Sequence, residues 1–193
     1  MKILVIQGHP DSQSLTHTNA MHYYEAAKQM GFDVDMIDLS HADFDPVLRY
    51  GYHQHMSDES FPKHCQDLIQ AADHLAFFFP IWWSAEPSVL KGWLDRVLTP
   101  KFAYYYDEKG NSHKLLQNKT ADVFTSSNGP AFFYRSLGNV IFRWKYLVLG
   151  FCGIKLKHGL VLGRMVKNPS HERCAKYIEK CTKTLEALNS NHQ

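Results

Sequence analysis

Two adjacent tryptophans follow an apolar segment where the chain is otherwise typical of a turn. The stretch Phe77–Phe79 runs into Pro80, Ile81, Trp82 and Trp83. A turn between a strand and a helix needs only small or polar residues such as Gly, Asn and Ser. A flat conjugated ligand, however, requires an apolar wall of this kind, with backbone N–H groups at its polar edge. The alternative is that both indoles fill the core or a subunit contact.

The polar segment 8–16 has residue types that bind phosphate. It leaves an apolar run and leads into a predicted helix, whose unpaired N–H groups and positive dipole end attract anions. His9 and the hydroxyls of Ser12, Ser14 and Thr16 could add donors. The alternative is an N-capped turn, with Ser14 or Thr16 as the cap. Because the segment lacks both the P-loop pattern and the pattern G-x-G-x-x-G, nucleoside triphosphates and a dinucleotide fingerprint have no support.

A third short segment combines small, hydroxylated and flexible residues. Ser126, Ser127, Asn128 and Gly129 follow an apolar run and allow a ligand to approach the backbone closely. Taken alone, the segment is also typical of an ordinary turn. Its position relative to the other two segments therefore decides whether it has a function.

Apolar strands and amphipathic helices alternate along the chain and connect these segments. The run Ile3–Ile6 is continuously apolar, as in parallel strands that are covered on both faces. Residues 41–60 are expected to form an irregular insertion, and residues 99–118 a long aromatic loop. The pattern predicts strands at Lys2–Gln7, Phe32–Asp38, His74–Pro80, Thr120–Ser126 and Ile154–Leu162, and helices at 16–30, 61–72, 87–98, within 134–149 and at 170–188.

This alternation predicts an α/β fold with a single domain over residues 1–193. Five strands that begin with a strand, a loop and a helix favour a flavodoxin-like parallel sheet in the order 2-1-3-4-5, with helices on both faces. In such sheets ligands bind at the carboxyl ends of the strands, at the switch point between strands 1 and 3. We therefore expect segments 8–16, 80–86 and 126–134 to meet at one edge of the sheet.

The composition narrows the class of partner. The chain has 193 residues, 45% of them hydrophobic, and a formal net charge of +2. This balance gives no reason to expect a nucleic-acid surface. The longest apolar run, Leu75–Trp83, is too short for a transmembrane segment, and the N-terminus lacks a secretory signal. The four cysteines have no zinc-like spacing, so we expect no metal, reduced thiols and a cytoplasmic location.

Three motifs carry a resemblance to a known family. The stretch 79–97 reads F-P-x-x-W followed by P-x-x-L-K-x-W-x-[DE]-[RK]-V, while residues 8–10 read Gly-His-Pro and residues 102–104 read Phe-Ala-Tyr. These motifs resemble the flavodoxin-like NAD(P)H:quinone oxidoreductase family, which includes quinone reductases, drug-activity modulators and ancillary subunits of potassium-efflux systems. The resemblance runs from Met1 to about Gly163.

The resemblance implies a flavin, FMN or FAD, that NAD(P)H reduces and a quinone-like acceptor reoxidises in two half-reactions at one site. The cofactor would carry the hydride chemistry, and the protein would orient it and stabilise its reduced form. Tyr134 falls where some members have a tyrosine that hydrogen-bonds the reduced flavin, but Val140 stands in place of their histidine. The other implied contacts are the ribityl phosphate at His9, Ser14, Leu15 and Thr16, the isoalloxazine wall at Pro80, Ile81, Trp82 and Trp83, and backbone donors at Ser126, Ser127, Asn128 and Gly129.

Aromatic residues outside these segments predict a homodimer. Residues 102–106 and a helix that holds Phe142, Trp144 and Tyr146 offer more apolar surface than one small sheet should need. Relatives build their active site across such an interface.

Other functions fit the sequence less well. A low-molecular-weight phosphatase needs C-x5-R after the first strand, and this chain has Gly8-His9-Pro10 there. The spacing of His53 and His55 could serve a metal, but no further ligand follows. A flavodoxin-type electron carrier would keep an acidic docking face, which a sequence pI of about 8.3 argues against. An ancillary subunit of a cation-efflux system remains the alternative, because such subunits carry the same flavin motifs. For the 2′-phosphate of NADPH the candidates are Arg49, Arg135 and Arg143.

Overall fold

The computed structural model describes residues 1–136, 139–166 and 169–189. Five of its strands form a parallel sheet in the order β2-β1-β3-β6-β7, and β4 pairs with β5 in a separate hairpin. The predicted flavodoxin-like α/β fold and its 2-1-3-4-5 order are confirmed, since β6 and β7 are the fourth and fifth strands of the main sheet. The strands are β1 (Lys2–Gln7), β2 (Asp33–Asp38), β3 (His74–Pro80), β4 (Tyr104–Tyr106), β5 (Ser112–Lys114), β6 (Thr120–Ser126) and β7 (Lys155–Leu162).

Helices cover both faces of the sheet. One core cluster contains Leu90 and Trp144, and the other contains Tyr23 and Tyr177 from helices on the opposite face. None of the helices in the described part of the chain has the length and apolar character that a bilayer span requires. The helices are α1 (Leu15–Gln29), α2 (Ser60–Ala71), α3 (Ser88–Val97), α4 (Ala131–Arg135), α5 (Val140–Arg143), α6 (Gly150–Cys152), α7 (His171–Thr182) and α8 (Thr184–Asn189), with a π-helical segment at Trp144–Leu149.

The register of the sheet sets where its loops leave. All seven residues of β3 are buried, because the strand has neighbours on both sides and helices on both faces. Gln7 at the end of β1 pairs with Phe78, and Pro80 at the end of β3 pairs with Ser126 at the end of β6. Three strands therefore end at nearly the same level, so the loops that follow them start side by side.

The aromatic loop predicted for residues 99–118 is more ordered than expected, because it contains the hairpin of β4 and β5. Asp107 holds the turn of this hairpin. Its carboxylate accepts hydrogen bonds from the backbone N–H groups of Lys109 and Asn111, at 2.9 and 2.8 Å. Gly110 supplies the positive φ that the turn needs. The insertion 41–60 is irregular as predicted, with neither helix nor strand before Ser60.

Two predicted helices are interrupted. The helix expected within 134–149 consists of α4, α5 and the π-helical segment, and residues 137 and 138 lie outside the described residues. The helix expected at 170–188 divides into α7 and α8. At that break the Thr184 hydroxyl donates to the carbonyl oxygen of Cys181 at 2.8 Å, a local bond that competes with helix continuation.

Candidate functional site

The three loops singled out in the sequence meet at the carboxyl edge of the sheet. The Gly8 N–H donates to the Phe78 carbonyl oxygen at 2.7 Å, which joins the loop after β1 to β3. The Ile81 N–H donates to the Ser126 carbonyl oxygen, also at 2.7 Å, which joins the loop after β3 to the end of β6. The expected convergence of segments 8–16, 80–86 and 126–134 is therefore present in the fold.

The two tryptophans lie in a tight turn that projects from this edge. Trp82 and Ala85 exchange two backbone hydrogen bonds, each 2.9 Å long. Trp83 and Ser84 between them both have positive φ, +50° and +59°. Two such residues define the turn type that normally selects Asn-Gly, so a bulky indole there carries backbone strain.

Neither indole of this turn fills the core. Trp83 is fully exposed, and Trp82 is 44% exposed. Pro80 and Ile81, in contrast, are buried and anchor the base of the turn. Exposed aromatic surface on a strained turn is a feature that proteins retain at binding sites, so the arrangement favours the interpretation of Trp82 and Trp83 as a wall.

His9 lies beside this wall. Its ring centroid is 5.2 Å from that of Trp82, in an edge-to-face arrangement. The Asp11 N–H donates to His9 Nδ1 at 2.9 Å, which makes Nδ1 an acceptor and puts the proton of the neutral ring on Nε2. Burial lowers the pKa of His9, although the Asp11 carboxylate opposes the shift. At neutral pH His9 is thus a neutral ring whose Nε2–H can donate to a ligand.

A buried network that the sequence analysis missed positions the backbone of His9. The Gln7 side chain is buried, and its Oε1 accepts from the His9 N–H. Its Nε2 donates to the His9 carbonyl oxygen at 3.0 Å and to Asp38 Oδ1 at 2.8 Å. Asp38 in turn pairs with His17 Nε2 at 3.1 Å. The sequence feature that could have indicated this network is Gln7, a polar residue at the end of a largely apolar strand.

The beginning of α1 combines a cap with the predicted phosphate segment. The Ser14 hydroxyl accepts from the His17 N–H at 3.1 Å, so Ser14 is the N-cap that the alternative interpretation expected. Leu15, Thr16 and Ser126 line a small cleft between α1 and the end of β6. Backbone N–H groups of this first turn, together with His9, remain the groups suited to an anion.

The third segment is held by the chain that follows β7. Backbone N–H groups of Arg164 and Met165 donate to the carbonyl oxygens of Gly129 and Ser127, at 2.8 and 3.0 Å. The Ser127 N–H itself donates to the Leu162 carbonyl oxygen at 2.9 Å. The expectation that Ser127 offers its amide to a ligand is therefore wrong, since that group is used within the protein. Ser126 is the last residue of β6, and its carbonyl oxygen accepts from Ile81. The amides of Asn128 and Gly129, which lie beyond the strand, are the candidates that we retain.

Tyr134 reaches this third segment from α4. Its ring packs against Gly129 so closely that a Cβ atom there would lie 2.8 Å from the Tyr134 hydroxyl oxygen. The buried residue Val140 begins α5, six residues after Tyr134. The structure therefore brings the Tyr134 hydroxyl to the loop, and Val140 gives it no titratable companion.

Glu86 is a second functional candidate that the sequence analysis missed. Its side chain is 1% exposed and ion-pairs with Arg143. The Trp144 indole N–H also donates to Glu86 Oε2, at 3.2 Å. Arg143 is therefore already paired, as is Arg49, which bonds Asp45. Of the three arginines considered for a 2′-phosphate, the exposed Arg135 is the one outside these pairs.

The site has no metal-binding character in the described residues. They contain no group of three His, Cys, Asp or Glu side chains that could hold a metal ion. A cavity of about 380 Å³ elsewhere is lined by His53, His55, Arg96 and Lys101 among others, but it shares no lining residue with the three loops.

Comparison with known proteins identifies the family. The family model described as a flavodoxin-like fold matches residues 1–185. A protein of Haemophilus influenzae named "Uncharacterized NAD(P)H oxidoreductase" is 33% identical over 142 residues, which cover 72% of this chain and 70% of that protein. This chain belongs to the flavodoxin-like NAD(P)H:quinone oxidoreductase family. It is an oxidoreductase.

Two further relatives add detail to this oxidoreductase family. The ribosyldihydronicotinamide dehydrogenase (quinone) of Pongo abelii is 29% identical over 185 residues, which cover 80% of this chain and 78% of that protein. The FMN-dependent NADH-azoreductase of Bacillus anthracis, solved in complex with FMN, has a TM-score of 0.76 at 18% identity, over 97% of this chain and 98% of that chain. The likeness to the azoreductase shows that the two proteins share a fold.

The residues at the site of this oxidoreductase fit a flavin. Exposed aromatic surface at Trp82 and Trp83 matches a flat ring, and the close packing of Tyr134 on Gly129 brings a phenolic hydroxyl to the third loop. The Nε2–H of His9 and the first turn of α1 match a phosphate. Each part of a flavin mononucleotide thus has a chemically suited group at the same edge of the sheet.

Proposed function

We propose that this oxidoreductase binds a flavin at the three loops and passes two electrons from NAD(P)H to a quinone-like acceptor. The observation that carries the proposal is the exposed Trp82–Trp83 turn, which the Ile81–Ser126 hydrogen bond holds between His9 and the third segment. The quinone named for the Pongo abelii relative supports the acceptor class, and the FMN of the azoreductase makes FMN the first cofactor to test.

Each part of the site has its own task. When bound, the flavin supplies the hydride chemistry. Trp82 and Trp83 offer an apolar surface that excludes water from the ring, and His9 Nε2–H donates to the phosphate. The amides of Asn128 and Gly129 and the hydroxyl of Tyr134 donate where negative charge develops on reduction. Because residue 140 is Val, the Tyr134 hydroxyl performs this task alone or through a water molecule.

If the Trp82–Trp83 turn covers one side of the ring, the two substrates would share the other side and use it in turn. With a flavin bound, NAD(P)H would have to leave before the acceptor could take its place, so we expect ping-pong kinetics. Initial rates measured at several fixed acceptor concentrations should give parallel double-reciprocal lines. Arg135→Met tests the nicotinamide preference, because a loss of affinity for NADPH with unchanged affinity for NADH would assign the 2′-phosphate contact to Arg135.

Exposed aromatic and aliphatic residues support the proposal of a homodimer. Tyr105 and Tyr106 on the hairpin, and Tyr146 and Leu147 on the π-helical segment, are all more than 40% exposed. Trp144, however, is fully buried and belongs to the core rather than to the predicted interface. Sedimentation of the flavin-loaded protein should show a dimer at tens of micromolar, whereas a fully active monomer would contradict the proposal.

The four cysteines bear on the proposed cytoplasmic location. All four are free thiols, and Cys65, Cys152 and Cys181 are buried. Unpaired thiols are typical of proteins in a reducing compartment.

The absorption spectrum of the purified protein tests the proposed function directly. We expect a visible flavin band that excess NADH or NADPH bleaches, and a released cofactor that chromatography identifies as FMN or FAD. Protein that stays colourless after reconstitution with both flavins would overturn the proposal.

A further inference from the structure

The carboxylate of Glu86 is a buried charge that the proposed chemistry does not use. Its side chain is 1% exposed, and it lies directly after the Trp82–Ala85 turn and before the proline that precedes α3. A carboxylate in such a position is costly unless it is paired and hydrogen-bonded. An apolar residue would fill the same space without this cost, so the partners of Glu86 indicate what it contributes.

Both partners of Glu86 come from one distant part of the chain. Arg143 is the last residue of α5, and Trp144 is the first residue of the π-helical segment. Arg143 Nη2 and Trp144 Nε1 donate to the same oxygen, Oε2. The Trp144 ring is itself fixed, because it stacks on Phe79 of β3 with centroids 4.7 Å apart. Glu86 thus ties the turn to a rigid part of the core.

The turn is therefore anchored at both ends. At its start, the Ile81 N–H bonds the Ser126 carbonyl oxygen. At its end, Glu86 bonds Arg143 and Trp144. Between these anchors Trp83 and Ser84 adopt left-handed conformations that are unfavourable for non-glycine residues. Such strain persists only where the surrounding structure enforces it.

We propose that Glu86 and Arg143 are positioning residues that hold the Trp82–Trp83 turn in its strained conformation and thereby preorganise the wall of the site. Arg143 is 29% exposed and Glu86 is enclosed, so the pair stands at the boundary between core and solvent. The proposal rests on the proposed function for its effect on flavin affinity. Its effect on the turn itself is a property of the flavin-free protein and can be measured there.

The contact between His9 and Trp82 provides that measurement. A protonated imidazole quenches the fluorescence of an adjacent indole, and these two rings are 5.2 Å apart. Emission of the flavin-free protein should therefore fall as the pH decreases through the pKa of His9, which burial places below its usual value. His9→Gln identifies this component of the titration. A turn that has relaxed moves Trp82 away from His9 and loses the component.

Three variants and one control distinguish a role of the pair in positioning the turn from a contribution to the stability of the whole protein. Arg143→Met leaves the Glu86 carboxylate unpaired, Glu86→Gln keeps an acceptor oxygen for both donors, and the double variant Glu86→Met/Arg143→Met replaces the pair with apolar side chains. A protein in which a buried ion pair is replaced by apolar residues often keeps its stability. Lys176→Met, which breaks the exposed Lys176–Glu172 pair on α7, is the matched control.

We expect Arg143→Met and the double variant to lose the His9-dependent quenching and to bind FMN about tenfold more weakly, the scale of the strain in the turn. The FMN affinity of Glu86→Gln should stay within about threefold of the wild-type affinity. Lys176→Met should have the affinity and the quenching of the wild type. A folded double variant that keeps the wild-type quenching and FMN affinity would overturn the proposal. The double variant decides the question even if Arg143→Met does not fold. Wild-type protein that binds no flavin but shows the quenching, lost in the double variant, would contradict the proposed function alone.

Discussion

The ring of Tyr134 lies over the backbone of Gly129, where a Cβ atom would be 2.8 Å from the Tyr134 hydroxyl oxygen and 3.0 Å from its Cε2 atom. Gly129 does not need its conformational freedom here, because its φ is not positive. It is required for space alone. The third loop and α4 therefore have their relative position set by the absence of a side chain.

Gly129→Ala should push the Tyr134 ring away from the third loop. Forcing a methyl group into a filled space costs about 1–3 kcal/mol, which we expect to appear as a lower melting temperature and weaker flavin binding. Because the nearest atom is the Tyr134 hydroxyl oxygen, Tyr134→Phe should restore part of both losses in the double variant. Thermal unfolding and flavin titration of the four proteins measure this coupling, and equal losses in both backgrounds would contradict it.

Replacing the exposed tryptophans should affect ligand binding rather than folding. Trp82→Leu and Trp83→Leu keep apolar bulk and remove the indole face. A stacking contact is worth about 0.5–1.5 kcal/mol beyond area burial, so we expect roughly three- to tenfold weaker flavin binding in at least one variant. The melting temperature of the flavin-free protein should stay unchanged for the fully exposed Trp83.

Trp93→Leu is the matched control for these two variants, since Trp93 is fully buried and donates to Cys65 Sγ. It should lower the melting temperature of the flavin-free protein. Destabilisation by Trp83→Leu as large as that by Trp93→Leu, with flavin affinity unchanged, would show that the indole of Trp83 supports the fold.

Gln7→Leu should weaken the hydrogen bonds that hold the backbone of the first loop at His9. The change leaves the N–H and carbonyl groups of His9 without their side-chain partner, and it removes one donor from Asp38. Unsatisfied buried polar groups cost about 1–3 kcal/mol, so chemical denaturation should show a loss of this size together with weaker flavin binding. Gln13→Leu, on the exposed part of the same loop, should change neither quantity. Equal behaviour of the two variants would exclude a role for the network.

The sequence predicts strands of this sheet well where apolar residues are continuous. The bounds of β1, β3 and β6 match the predicted ones. In β1 and β3 the apolar run is continuous, as in strands buried on both faces, whereas β6 has Asp122 in its interior. The hairpin of β4 and β5 was missed, since strands of three residues are too short to show a period. Its turn residues Asp107 and Gly110 carried the usable signal.

The sequence predicts which loops meet at the carboxyl edge of the sheet, but it does not predict the residues that support those loops. His9, Trp82, Gly129 and Tyr134 could be placed because the strand order fixes which loops meet. The pairing of Glu86 with Arg143 and Trp144 joins positions 57 and 58 residues apart and depends on the π-helical segment. Sequence patterns along one element contain no information on such a contact.

Asp122 is a further polar residue inside an apolar strand, and its charge should make the stability of the protein depend on pH. The carboxylate is buried in β6, and its Oδ1 accepts from the backbone N–H and from Nδ1 of His158, both at 2.9 Å. His74 Nε2 lies 3.6 Å from Oδ2, and the Tyr23 hydroxyl is buried close by. Burial acts to raise the pKa of Asp122, but hydrogen bonding and charge from His74, with His158, hold it below the usual value.

A lowered pKa in the folded state means that Asp122 stabilises the protein at pH values above the unfolded pKa, about 3.9. This contribution is lost as the pH falls through the folded pKa, because the unfolded chain takes up the proton first. Asp122→Asn should therefore cost about 3–5 kcal/mol at pH 7, the scale for removing one partner of a buried pair. The difference from the wild type should shrink below pH 4. Urea unfolding at pH 7, 5 and 3 measures this, with the exposed Asp67→Asn on α2 as the control. A loss that is independent of pH would show that Asp122 acts through its shape and not through its charge.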